Sequence, residues 1–241
     1  MNEDGLVTRR GLMEAGGAAA GGALILGLPD AAGGAAGSGR RVGSGPTDRH
    51  SVGLLMAIRQ VGPSLIGFGY LTRVRGLNSA QLFTTPPAVH SADPRASDPG
   101  PARFTFYSEA KIESLSQLGE AISSTGGGRV RIYYQAGGGA SFGDPATFGR
   151  GLLIATLTGN FQNDLTVSEP NTADVHMTAD LTQSGGRRFA GQGAGNLRFG
   201  GIGYAWTMRA TGRGRRTDPA TPRSELTLSG DLGVVDALTK R

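Results

Sequence analysis

Apolar and polar residues alternate along most of the chain after residue 50. In residues 102–114, ARFTFYSEAKIES, one face would carry Phe104, Phe106, Ser108, Ala110 and Ile112, while Arg103, Thr105, Tyr107, Glu109 and Lys111 take the other. A period of two is typical of a strand with one buried face. The same alternation recurs between turn signals, so strands are predicted over residues 65–77, 102–114, 129–135, 151–167, 175–183, 187–199, 204–213 and 224–234.

Residues 51–61 are ambiguous on pattern alone. Leu54, Ile58 and Val61 fit one face of a helix, but Gly62, Pro63 and Ser64 then form a turn signal ahead of a clear strand. This arrangement favours a hairpin. A second turn is predicted at residues 126–128, three consecutive glycines, and residues 78–101 form a proline-rich loop.

Many strands separated by turn signals, without a convincing long helix, indicate an all-β fold. The chain contains 42 glycines, many of them inside the alternating segments, where they mark bends or close backbone approach. Long strands with internal glycine favour closure, which needs strong coiling and removes exposed edges. We therefore predict a single antiparallel, roughly eight-stranded closed β-barrel with glycine-rich bends, preceded by a signal peptide and a linker.

The beginning of the chain carries an export signature. Residues 8–13, with Arg9 and Arg10 side by side, resemble the twin-arginine export signal, and an apolar run over 18–28 follows. That run is shorter than the roughly 20 residues that cross a bilayer. We predict a signal peptide over 1–36, a flexible linker over 37–50 and the barrel domain over 51–241. The expected location is periplasmic or secreted, with the Tat translocase as a partner during export, and the absence of cysteine fits this route.

Charge and motifs narrow the possible functions. The net charge is +5, but the arginines are dispersed, so no nucleic-acid partner is predicted. Strand arginines such as Arg73, Arg75, Arg129 and Arg131 argue against a lipid-facing barrel, and an integral membrane protein is not expected. His50, His90 and His176 form no metal motif, and no nucleotide-binding motif occurs, so neither metal nor cofactor is predicted.

One catalytic motif has to be weighed. Residues 139–143 match the G-x-S-x-G pattern of the nucleophile elbow, which requires a strand, a tight turn and then a helix. Three glycines precede Ser141, and Asp144 and Pro145 follow the motif, so a glycine-rich turn is the favoured interpretation.

Polar and aromatic residues inside the predicted strands are the remaining candidates. If they point inward, they would be convergent polar groups on an apolar cavity. The predicted ligand-binding residues are Tyr70, Tyr133, Asn160, Gln162, Trp206 and Arg209; Glu109, Tyr70 and Asn160 are the catalytic candidates, although no catalytic residue is assigned. Alternation favours a solvated outer face for Glu109, and Tyr70 shares a face with Phe68 and Val74, which favours core packing.

Three longer segments carry a family resemblance: residues 67–83, 102–114 and 144–167. With the glycine-rich strands that follow, they resemble bacterial secreted barrels of the allene oxide cyclase-like or dirigent-like type, over roughly residues 52–235. The resemblance implies an eight-stranded antiparallel barrel with a hydrophobic pocket, and a homo-oligomer, a trimer in that family type. It assigns no catalytic residue to any position of this chain.

Three functions are compatible with these features. The leading hypothesis is an exported β-barrel that binds a hydrophobic small molecule in its interior. The alternative is a cofactor-free cyclase or isomerase of the resembled type, and a further alternative is a structural or interaction protein of the cell envelope. An inward ionisable group would favour the cyclase, whereas an apolar lining would argue against it.

Overall fold

The regular elements of the chain are almost all strands. The computed structural model describes residues 51–85, 97–191, 195–218 and 223–235. The strands are β1 (Ser51–Val61), β2 (Ser64–Val74), β3 (Phe104–Leu118), β4 (Ala121–Tyr134), β5 (Leu152–Glu169), β6 (Thr172–Gly186), β7 (Arg188–Gly191), β8 (Gly195–Arg198), β9 (Ala205–Asp218) and β10 (Arg223–Val235). A four-residue helix, α1 (Ser79–Leu82), and a 3-10 helix, Pro145–Gly149, complete the set.

Eight of the strands close into an antiparallel barrel in the order β1-β10-β9-β6-β5-β4-β3-β2. The prediction of an all-β fold with a closed eight-stranded antiparallel barrel is therefore confirmed. The ambiguous segment 51–61 is strand β1, and it forms the expected hairpin with β2. Gly62 occupies the left-handed region at that turn, with φ of 58°, a conformation that glycine adopts without the steric cost of a side chain.

Two details of the strand prediction are wrong. Residues 187–199 do not form one barrel strand, because β7 and β8 pair with each other as a separate two-stranded sheet. Gly126 and Gly128 are not part of a turn either; both lie inside β4. A side chain at Gly128 would collide with its neighbour on β3, since its Cβ would lie 2.5 Å from that of Ala110. These glycines mark close approach of strand backbones, not a chain reversal.

The barrel interior is the larger of two apolar regions. Alternate residues of each strand point inward and are buried, and strand pairing places them level with one another around the wall. The inner face is dominated by aliphatic and sulfur-containing side chains, including Leu54, Met56, Leu157, Met177, Leu181, Met208 and Leu228.

A second apolar region covers part of the outside of the barrel. Phe83, Phe142 and Phe148 pack over Phe68 and Tyr70, which β2 directs outward, and we call these five residues the outer aromatic layer. Ring centroids of Phe68 and Phe148 lie 5.4 Å apart, and those of Phe142 and Phe148 lie 5.1 Å apart. Phe68, Tyr70 and Phe148 are each at most 1% exposed. The layer therefore forms a second core, outside the barrel wall.

Polar groups beneath the outer aromatic layer are hydrogen-bonded. The Thr105 hydroxyl donates to the Phe148 carbonyl at 2.9 Å, and the Gln135 amide donates to Thr105 Oγ1 at 2.9 Å and to the Thr147 carbonyl at 2.8 Å. These bonds fasten the 135–148 segment to β3. Pairing of buried polar groups is what allows such a layer to be stable.

The predicted signal peptide at 1–36 and linker at 37–50 lie outside the described residues, as do 86–96 of the proline-rich loop. At the described start of this loop, Asn78 is the N-cap of α1, and its side chain accepts a hydrogen bond from the backbone N–H of Gln81. A membrane-spanning helix is absent from the part of the chain that the structure describes.

Candidate functional site

A cavity of about 70 Å³ lies inside the barrel. It faces a row of small residues, because Ala110, Gly128 and Gly159 lie side by side on β3, β4 and β5. Without side chains beyond a methyl group, this row leaves the centre of the barrel unfilled. The larger lining residues are Met56, Phe106, Phe161, Met177, Leu181 and Met208.

The lining of this cavity is apolar. Ser108 is its polar side chain on the inner face, and its hydroxyl already donates to the Gly67 carbonyl at 3.1 Å. Glu109, Arg129 and Asn160 border the cavity through the thin part of the wall, but all three are exposed and their side chains belong to the outer face. A site without free polar partners does not hold water well, so the cavity is suited to an apolar guest.

One end of the interior is closed by a hydrogen-bonded aromatic cluster. Trp206 Nε1 donates to Gln183 Oε1 at 3.2 Å, while Gln183 Nε2 donates to the carbonyls of Phe199 at 2.7 Å and Gly185 at 3.0 Å. The rings of Phe104 and Phe199 pack with centroids 5.9 Å apart. Trp206 and Gln183 are each 1% exposed, so this end is sealed.

A buried polar side chain lies one inward position beyond the cavity lining on β5. Asn163 is 5% exposed, points inward from β5, and pairs with the cavity-lining residue Met177. Its carboxamide oxygen is buried without a hydrogen-bond partner. The adjacent Ser124, 3% exposed, donates its hydroxyl to the backbone carbonyl of Asn163 at 3.5 Å. The carboxamide oxygen of Asn163 therefore receives no hydrogen bond from Ser124.

Most of the predicted ligand-binding residues do not face this cavity. Trp206 points inward, but Tyr70, Tyr133, Asn160, Gln162 and Arg209 lie on the outer face of their strands. The condition that these residues point inward is therefore met by Trp206 and not by the other five. The reason is strand parity, since each sits one position away from an inward neighbour.

The outward candidates occupy different surroundings. Asn160 and Gln162 come together beside Thr178 and Asp180 at an open polar groove of about 360 Å³. Arg209 borders another open groove, of about 680 Å³, that also contains the ion pair of Arg73 and Asp231. Both grooves are shallow parts of the solvated surface.

The catalytic candidates Glu109 and Tyr70 have structural partners. Glu109 is exposed and pairs with Arg131 at 2.9 Å, as alternation indicated. Tyr70 is buried in the outer aromatic layer, and this desolvation raises the pKa of its phenol; a hydrogen bond from Ser97 acts in the opposite sense and the Asp98 carboxylate adds to the rise. Desolvation also raises the pKa of Tyr107, with a contribution from Glu109. Neither phenol faces the cavity.

The G-x-S-x-G segment is a turn, as expected. Ser141 Oγ accepts from the Gly143 amide at 3.2 Å, and Asp144 caps the following 3-10 helix through its side chain. The motif places Phe142 in the outer aromatic layer. The segment thereby contributes one ring to the cover of the barrel wall.

Metal ligands do not cluster in the described ranges, where no group of three or more His, Asp or Glu side chains could hold an ion. The residue that sequence reasoning missed is Asn163. A signal for it exists, because it shares the parity of Leu157 and Phe161, whereas Asn160 and Gln162 have the opposite parity.

Comparison with known proteins yielded no match to a family model, to a curated protein or to a solved structure.

Proposed function

We propose that this protein is an exported β-barrel that binds a hydrophobic small molecule in its interior. The observation that carries the proposal is the apolar cavity of about 70 Å³ opposite Ala110, Gly128 and Gly159. Tightly packed cores contain few voids larger than a water molecule, which occupies about 30 Å³ in the liquid. A void of this size, lined by apolar groups, is a place where a guest gains contacts that the protein itself does not supply.

The methionines of the lining support this assignment. Met56, Met177 and Met208 contribute three flexible, polarisable side chains to one cavity. Methionine has three rotatable bonds and repacks readily around guests of different shape. The resting volume suits only a few non-hydrogen atoms, and rotation of these side chains enlarges it for a larger ligand.

The same lining distinguishes the binding function from the cyclase alternative. General acid–base chemistry in the interior needs an ionisable group within reach of the bound molecule. Among the described residues that line the cavity, the ionisable ones, Glu109 and Arg129, direct their side chains outward. The candidate chemistry is therefore retention of an apolar molecule.

Native mass spectrometry of protein purified from the exported fraction is the first test. A retained small molecule would identify the ligand class, and the same spectrum would give the oligomeric state, for which the resemblance implies a trimer. Replacing Arg9 and Arg10 together by lysine, which keeps the charge, tests the export route, and we expect the variant to stay in the cytoplasm.

A cavity-filling variant tests the location of the site. Ala179 is buried and lines the cavity, so Ala179→Leu is expected to abolish binding of an apolar probe such as benzene, followed through Trp206, the single tryptophan. Thr178→Leu, on the exposed face of the same strand, is the matched control and should bind as the wild type does. Equal binding by both variants would place the ligand outside the barrel and overturn the proposal.

A further inference from the structure

Asn163 occupies an unusual place in the barrel. Along β5, the inward positions are Leu157, Gly159, Phe161 and Asn163, and the middle two line the cavity. Asn163 is the next inward residue after Phe161, about 7 Å along the strand at the usual rise per residue. Its partner on β6 is Met177, which also lines the cavity. Asn163 is therefore the first inward residue of β5 beyond the lining of the cavity, and it is paired with a lining residue.

The hydrogen bonding around Asn163 is incomplete. Buried side-chain oxygens are nearly always paired, because an unpaired one has given up water without replacement. The inward neighbour Ser124 could have served the carboxamide, but its hydroxyl donates to the backbone carbonyl of Asn163 at 3.5 Å. The carboxamide oxygen, in a residue that is 5% exposed, is left as a free acceptor.

The contrast with Gln183 is informative. Both amides point inward, but Gln183 donates to two carbonyls and accepts from Trp206, so its hydrogen-bonding capacity is used within the protein. Gln183 is a structural amide that seals one end of the interior. The Asn163 carboxamide is buried to a similar degree, but its oxygen has no such partner.

We infer that Asn163 is the polar anchor of the internal site, accepting a hydrogen bond from a hydroxyl or N–H group of the bound molecule. The inference rests on the proposed function. It narrows the ligand class from any hydrophobic molecule to an amphiphilic one, with an apolar body against Met56, Met177 and Met208 and a single donor group at Asn163. Such a division, mostly apolar with one placed polar contact, is usual in small-molecule sites.

Two probes of nearly equal size test the anchor. Cyclohexanol carries the donor, and methylcyclohexane replaces it with a methyl group. The dissociation constants of both are measured by Trp206 fluorescence for the wild type and for Asn163→Leu. A net hydrogen bond corresponds to roughly a threefold to tenfold change, so the preference for the alcohol over the hydrocarbon should fall by about that factor in the variant.

Thr178→Leu is again the control, because Thr178 lies on the exposed face of the neighbouring strand β6 and does not line the cavity. This variant should keep the wild-type preference. Circular dichroism and thermal unfolding of all three proteins establish that they share one fold.

The outcomes separate the inference from the proposed function. If both probes bind and Asn163→Leu keeps the wild-type preference, the anchor is overturned while the internal site stands; water then serves the carboxamide. If neither probe binds the wild type, both proposals are overturned.

A second measurement covers the case in which Asn163→Leu does not fold. In the ¹⁵N-labelled wild type, the side-chain amide resonances of Asn163 should shift on addition of cyclohexanol and much less on addition of methylcyclohexane. Equal shifts with the two probes, or shifts confined to Asn160, would contradict the anchor.

Discussion

The barrel interior and the outer aromatic layer are two buried regions that share one wall and are packed differently. Strand β2 serves both, with Gly69 facing inward and Phe68 and Tyr70 facing outward. The outer layer is made of aromatic rings with centroids 5.1–6.4 Å apart, and Thr105 and Gln135 beneath them are hydrogen-bonded. The interior combines aliphatic chains, methionine and glycine with a few aromatic rings such as Phe106 and Phe161, and it contains a void and an unpaired amide oxygen.

The difference indicates that the two buried regions contribute in different ways. Where aromatic rings pack densely over hydrogen-bonded polar groups, burial contributes to stability alone. Where small residues leave space and an acceptor stays free, part of the possible stabilisation is left for a guest to supply. Such departures from complete packing and pairing are expected at functional sites. The comparison supports our proposal that the interior binds the ligand, while the layer that covers the barrel contributes to its stability.

Removal of a ring from the outer aromatic layer should have the largest effect on stability. Phe148 is 0% exposed and contacts Phe68 and Phe142, so Phe148→Ala should lower the free energy of unfolding by about 3–5 kcal/mol. Urea unfolding measures it, with Leu118→Ala as the control at a position 86% exposed. A loss below about 1 kcal/mol would show that the layer is not a second core.

Removal of the Gln183 side-chain amide, which closes one end of the interior, should have the second-largest effect on stability. Gln183→Leu removes the hydrogen bonds that Gln183 makes with Trp206 Nε1 and with the Phe199 carbonyl, at a cost of about 3 kcal/mol in the free energy of unfolding. Urea unfolding gives the loss, and the tryptophan emission should move to longer wavelength as water reaches the indole. A variant that is as stable as the wild type would mean that this end of the interior is open.

Burial of Tyr70 should appear as a loss of stability at alkaline pH. Its folded pKa is raised above the ordinary value of 10.0. Stability from the neutral phenol is therefore complete below pH 10 and is lost as the pH rises from 10 through the folded pKa. Tyr70→Phe removes the hydrogen bond with Ser97, so its free energy of unfolding near pH 7 should be about 1 kcal/mol lower than that of the wild type. Because the variant has no phenol to ionise at this position, its stability should fall less steeply above about pH 10. Unfolding curves over that range test this, with Tyr204→Phe as an exposed control.

The smallest effect on stability is expected on the solvent-exposed outer face of the barrel, at the groove that contains Arg73 and Asp231. Arg73 and Asp231 form an ion pair at 2.8 Å, with side chains 64% and 65% exposed. Arg73→Ala should cost about 0.2–1 kcal/mol, and less in high salt, because exposed pairs are screened. Thermal unfolding at two salt concentrations measures it. A larger loss of stability that does not depend on salt would show that this face is buried in solution, in contrast to the exposed ion pair of Arg73 and Asp231.

Sequence pattern predicted most of the fold and little of the site. Alternation predicted both faces of β3 correctly, including the outward position of Glu109. It did not show that the outward residues Phe68 and Tyr70 are buried, because their cover comes from Phe83, Phe142 and Phe148, which are distant in the chain. The glycines at 126–128 were assigned to a turn because local sequence does not distinguish a bend from a close approach between strands.

The order of residues by itself determined most of the strand positions, the hairpin of β1 and β2, and the closure of the barrel, since these follow from side-chain parity and from glycine within strands. Tertiary structure alone decided which faces are buried and where the void lies. Ala110, Gly128 and Gly159 come from three strands, and their small volumes create a cavity only because register brings them side by side. Asn163 likewise became a candidate only when its environment showed a buried oxygen without a partner. Packing and pairing are properties of neighbours in space, and neighbours in space are set by closure of the barrel.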